Sequence, residues 1–158
     1  MLTYLFRSAA SWTAIGLAGG LGYREFTKLH DYTGFTQLAL VHTHAIVWGT
    51  IFMLVLLSLA IVLPGLAGDA RMRWGVHLLN GGLALTVGML GFKGSLQVLG
   101  ADWADHPGLA GVSGLGHMTL TAALVLLLLA IGRQTKALSA TSLPLDVDED
   151  AREMADPR

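Results

Sequence analysis

The sequence contains no cysteine. That excludes disulfides, thiolate metal sites and the C-x-x-C-H attachment of c-type haem. Any cofactor must be held by histidine, methionine or oxygen ligands, or by packing alone. Charge is scarce too: 13% of the 158 residues are Asp, Glu, Lys or Arg, and the formal net charge is −1, so nothing suggests a nucleic-acid partner. With 53% hydrophobic residues, this balance argues against an ordinary soluble domain and for an integral membrane protein.

What is there is apolar length. Four stretches, residues 9–23, 38–63, 75–99 and 112–131, approach the roughly 20 residues that cross a bilayer. They predict an all-α polytopic membrane protein, with four transmembrane helices in an up-down bundle over residues 1–136. The first stretch follows Arg7 as a signal peptide would. No A-x-A cleavage site follows it, and Gly16 and Gly20 give it a G-x-x-x-G face, so a retained helix is expected. Pro64-Gly65 stops the second. Residues 137–158 are polar, and 146–158 are acidic without apolar periodicity; they are expected to form a disordered cytoplasmic tail.

Basic residues set the orientation. Arg7, the Arg71/Arg73 pair and the Arg133/Lys136 pair fall on one side of a four-span chain. The opposite connections hold Arg24 and Lys28, offset by Glu25 and Asp31, and then Asp102, Asp105 and His106. Both termini should therefore be cytoplasmic, in a bacterial cytoplasmic membrane.

LALVHTHAIVWGT, residues 38–50, carries two histidines inside an apolar run. Ionisable groups in hydrocarbon cost several kcal/mol and seldom lack a partner. Residues two apart on a helix point about 200° from each other. His42 and His44 therefore face two different neighbours, whereas H-x-x-x-H would chelate one ion. Both lie near the outer end of span two, at the depth of His117 in span four. The plain reading is two imidazoles hydrogen-bonded to neighbouring helices. The sharper one is haem iron ligation through imidazole nitrogen by His42 and His44, with His117 as the alternative or supporting ligand. His77 lies at the opposite end; His30 and His106 lie in loops.

Glycines suit a flat macrocycle, and Gly49, Gly81, Gly82, Gly88, Gly91, Gly114 and Gly116 are candidates to admit one; ordinary close helix packing explains them equally. Haem propionates at the height of His42 and His44 would need cations, and Arg24 and Lys93 are the candidates, against simple snorkelling to the interface. Asn80 and Gln97 read as interhelical hydrogen-bonders, and Met89 and Met118 as core.

GYREFTK, GFTQLALVHTHAIVWGT, LTVGMLGFKGSLQVLG and GLGHM, in this order, resemble a largely uncharacterised family of small four-helix bacterial membrane proteins with a VHTH motif. The likeness covers residues 5–132. The chain departs from the pattern at PGLAGDARMRW, where relatives carry a longer, more basic end to span two. LVHTHAIVW is more distantly similar to the catalytic subunit of haem–copper oxidases, especially the cbb3-type oxidases and nitric oxide reductases. There a Leu-His-Thr-Asn run supplies a low-spin haem ligand, whose histidine matches His42. In another helix of that subunit an H-x-H pair, matching His42 and His44, is split between two haems. Paired adjacent histidines of a copper site are absent, so no copper centre is implied. That subunit consists of three four-helix arcs about a pseudo-threefold axis. The resemblance therefore implies a homotrimer of this chain, with His42 of one protomer facing His44 of the next.

The expected function is an integral membrane b-type haem protein in electron transfer or haem-based redox or gas sensing, with a respiratory-chain partner. No acid–base pair or activated nucleophile suggests self-contained catalysis. The alternatives are a small transporter or proton-relay subunit, with the histidines as relay, and a structural or assembly subunit of a respiratory complex.

Overall fold

Four long helices, joined by short connections, make up the described residues. The computed structural model describes residues 1–141, and no strand occurs among them. Helix α1, Leu2–Leu29, extends well beyond the apolar stretch at 9–23, because the flanking Arg7, Arg24, Glu25 and Lys28 are themselves good helix formers. It stops at His30, and Asp31 turns the chain with φ 48°.

Helix α2, Gln37–Val62, starts on a tight turn at Gln37–Ala39. Thr36 caps it, its hydroxyl accepting from Leu38 N at 3.2 Å. The helix widens to π-helical pairing over Ala45–Ile51 and returns to α at Phe52. It ends at Leu63 (ψ 80°), because Pro64 bars that residue from the α region. Pro64 opens the short α3, Pro64–Gly68. Asp69 then caps α4, Ala70–Val98, by accepting from Arg71 N at 2.7 Å. Gly100, at φ 67°, leads through a turn at Asp102–Asp105 into α5, Pro107–Thr141. The helix thus continues past Lys136; the acidic tail expected beyond lies outside the described residues.

The core shows how the helices alternate. A lower cluster joins the start of α1 (Leu5), the end of α2 (Leu56, Ala60), the start of α4 (Met72) and the later part of α5 (Leu127). An upper cluster joins Trp12, Val41, Ala45, Leu83 and Val87. Laterally, α1 packs on α2, α2 on α4, and α4 on α5. Missing side chains permit the closest approaches. A Cβ at Gly16 would lie 2.7 Å from Ile46 Cδ1, and one at Gly94 would overlap the Leu38 backbone. The G-x-x-x-G face of α1 is thus spent within the chain, against α2.

Three helices, Gln37–Val62, Ala70–Val98 and Pro107–Ala140, are long and apolar enough to cross a membrane. Helix α1 has the length but not the apolarity, so three such helices stand where four stretches were expected. Only 28, 44 and 22% of the most apolar windows of those three are buried, which leaves long hydrocarbon faces outside the bundle.

Candidate functional site

The positions of His42 and His44 follow from the inner face of α2. Val41, Ala45 and Met53 point into the bundle. His42, one residue past Val41, lies about 100° to one side of that face. Its Cβ stands 3.5 Å from the position a Gly20 Cβ would take, so it looks toward α1 and is exposed. His44, three residues past Val41, lies on the other side and is half-buried. There α2 and α5 form the two walls of a groove, with α4 as its floor.

One chamber of this groove, about 190 Å³, is lined by His44, Trp48, Leu79, His117, Leu120 and Thr121, together with Leu124. Two of the three candidate ligands, His44 and His117, therefore share a chamber, while His42 does not enter it. Each of the two bonds a carbonyl one turn back: His44 Nδ1 to Leu40 O at 2.9 Å, His117 Nδ1 to Ser113 O at 3.0 Å. A carbonyl can only accept, so Nδ1 carries the hydrogen in both. A neutral imidazole held that way keeps its lone pair at Nε2, the arrangement that metal-ligating histidines use.

The same groove continues upward into a second chamber of about 240 Å³, lined by Gln37, Thr86, Leu90, Lys93, Ser113 and His117, with Ala110 beside them. Lys93 sits here, its side chain 15% exposed and its Nζ 3.2 Å from Asp105, which is 86% exposed. Arg24 is not part of the groove. Its side chain is 73% exposed and pairs with its neighbour Glu25 at 3.4 Å. Of the two cations considered for propionates, only Lys93 stands beside a candidate ligand.

The glycines divide. Gly82 and Gly116 serve packing: a Cβ at Gly82 would lie 3.0 Å from Leu120 N, and one at Gly116 2.6 Å from Thr86 Oγ1. Gly49 is filled by the Trp12 indole, and Gly91 makes an ordinary contact with Val41. Gly81, Gly88 and Gly114 face open space. Asn80 and Gln97 do join elements, Asn80 accepting from Trp12 Nε1 at 2.8 Å and Gln97 Oε1 accepting from Gln37 N at 2.8 Å. His77, at the lower end, lies 3.2 Å from the Tyr4 hydroxyl.

Fit to a haem can be judged on the donor set and the space. Two imidazoles whose Nδ1 is committed to a carbonyl would offer Nε2 to an iron, and the lining is otherwise mostly apolar. The lower chamber is smaller than the roughly 300–1,000 Å³ of pockets that enclose a drug-sized ligand. A macrocycle would not be enclosed by this chamber alone. No group of three or more His, Asp or Glu able to hold a bare metal ion occurs among the described residues.

Sequence reasoning missed Trp48, Thr121 and Thr86. Trp48 and Thr121 could have been found four residues after His44 and His117, on the same helix faces. No curated protein and no solved structure matches the chain, so these comparisons add no likeness to haem–copper oxidases. The family described as "Protein of unknown function (DUF2871)" matches residues 2–134, and the chain belongs to that family.

Proposed function

We propose that this protein is an integral membrane b-type haem protein, with His44 and His117 as the residues that would hold the iron and a role in electron transfer or haem-based redox or gas sensing. The observation that carries the reading is the shared groove, in which two histidines from different helices both commit Nδ1 to a backbone carbonyl. Haem would supply a one-electron couple there. The chain's own residues would orient the imidazoles, wall the site with Trp48, Leu120 and Leu124, and offer Lys93 as a cation on the upper side. The four-span arrangement belongs to the same proposal. Helix α1 measures about 42 Å at 1.5 Å per residue and is packed along α2, so a bilayer crossed by α2 would be crossed by α1 as well. The basic residues favour cytoplasmic termini, in a bacterial inner membrane.

The exposure of His42 favours a second arrangement. It presents an imidazole on the face of α2 away from His44, where a neighbouring copy in a homotrimer would supply the other ligand. The visible spectrum of the purified protein tests both. A Soret band with sharp reduced α and β bands is expected. If His44 and His117 are the ligands, H44A and H117A each abolish that spectrum and H42A leaves it. If the site is shared between copies, H42A and H44A abolish it and H117A shifts it modestly. A colourless protein, after expression with adequate haem, refutes both and returns the histidines to a relay or a structural role.

A further inference from the structure

The upper chamber has a composition that the lower one lacks. It contains a cation, Lys93, most of whose side chain is out of solvent. The stem of the side chain is covered, and its ammonium meets one carboxylate at the rim of the chamber. Its acceptor, Asp105, belongs to the short turn at Asp102–Asp105 and is itself almost wholly solvated. That pairing is unequal: a carboxylate in water gives little net stabilisation to its partner and is easily exchanged for another.

Two turns deeper on the same face of α4, Thr86 is 1% exposed, and its hydroxyl has no hydrogen-bond partner. Threonines in helices ordinarily return this hydroxyl to the carbonyl one turn back, as Thr119 and Thr121 do here. The Thr86 hydroxyl is instead turned toward the bare Cα of Gly116. A buried hydroxyl left unpaired costs about 1–3 kcal/mol, and this one is enclosed against the neighbouring helix as part of the chamber wall. Seven residues separate Thr86 from Lys93, about 10 Å along the helix, so the two mark the depth and the mouth of one cavity.

We propose that the upper chamber is a carboxylate-binding site, in which Lys93 makes the ion pair and Asp105 is the carboxylate that the ligand displaces. Thr86 lies two turns below, at the inner end of the chamber. The carboxylate has two possible sources: a propionate of a porphyrin seated at His117, or a free organic carboxylate. The first rests on the haem reading; the second stands without it.

The test uses the full chain in detergent, as wild type, Lys93→Met and Asp105→Asn. Each is titrated with haem and with haem dimethyl ester, which lacks the charges, and each is unfolded thermally in propionate and in chloride of equal ionic strength. Wild type should bind haem about tenfold or more tightly than the ester, as a charge-assisted bond implies. Lys93→Met should erase that preference while leaving ester binding unchanged, and Asp105→Asn should enlarge it by removing the competitor. If neither porphyrin binds, the haem reading fails. The site is then upheld by a rise in unfolding midpoint with propionate that Lys93→Met abolishes. Absence of a Lys93-dependent response in both arms overturns the site, whether or not porphyrin binds. Should Lys93→Met fail to fold, Asp105→Asn decides, because an unchanged response to acid over ester and to propionate is equally fatal.

Discussion

Replacing Asn80 by leucine should loosen α1 from α4 by a measurable and attributable amount. Asn80 Oδ1 accepts the Trp12 indole N–H at 2.8 Å, and Trp12 is only 6% exposed, so no water can take over the bond. The other contacts of Asn80 matter less: its Nδ2 reaches Tyr4 Oη at 3.4 Å and Ser8 Oγ at 3.3 Å, both long. A buried donor stripped of its acceptor costs about 1–3 kcal/mol. Interhelical hydrogen bonds in membrane proteins average about 0.6 kcal/mol with a maximum near 1.7, because the unfolded chain in the membrane finds other partners. The short, enclosed Trp12–Asn80 bond belongs in the upper part of that range, at about 1–1.7 kcal/mol. Trp12→Phe removes the donor itself, while Asn80 Nδ2 keeps its bond to Val76 O at 3.0 Å. The double variant should therefore be more stable than the sum of the singles predicts, by about 1 kcal/mol. Reversible unfolding in mixed micelles, followed by circular dichroism, measures all four proteins. Additive losses, or an Asn80→Leu loss below about 0.5 kcal/mol, would refute the assignment of this bond as the tie between the two helices.

Gly94→Val should prevent α2 from seating on α4, since the added carbons meet the Leu38 backbone, and should cost more than about 3 kcal/mol by the same unfolding assay; Gly88→Ala, facing open space, should be neutral or stabilising by up to about 1 kcal/mol. Asp69→Ala should cost about 1 kcal/mol through the lost α4 cap, whereas Arg133→Ala, which breaks only a 4.0 Å pair from an exposed guanidinium, should change stability by less than about 0.5 kcal/mol. Reporter fusions after Gly68 and Lys136 should read cytoplasmic and one after Asp105 external; an external signal after Gly68 would invert the proposed orientation.

Much of this architecture could be read from residue order. The apolar stretches pointed to an all-α chain and overlap its long helices, Pro64 marked the end of α2, and a spacing of two was enough to separate the directions of His42 and His44. Other features lay beyond such reading, for physical reasons. Charged residues at both ends of α1 look like span boundaries by hydropathy, yet they favour helix and so prolong it. Arg24 and Lys93 sit at similar heights in sequence terms, but only packing decides that Lys93 turns into the groove while Arg24 pairs with Glu25. The unpaired hydroxyl of Thr86 depends on where Gly116 of another helix comes to rest.

The wide-turn segment at Ala45–Ile51 has a consequence for how this chain can change over time. A π-helical stretch fits one residue more into a given rise than regular α-helical pairing would. Deleting one residue between 45 and 51 would let the segment relax to ordinary pairing. The lower packing of Met53, Leu56 and Ala60 would stay as it is, and so would the upper face of Val41, because the wide turn absorbs the extra residue and holds the two flanks in register. His44 would stay in its groove and His42 beside α1. Chain length in these seven residues is thus free to vary by one: homologues one residue shorter here should carry an unbroken α-helix with their imidazoles on the same faces.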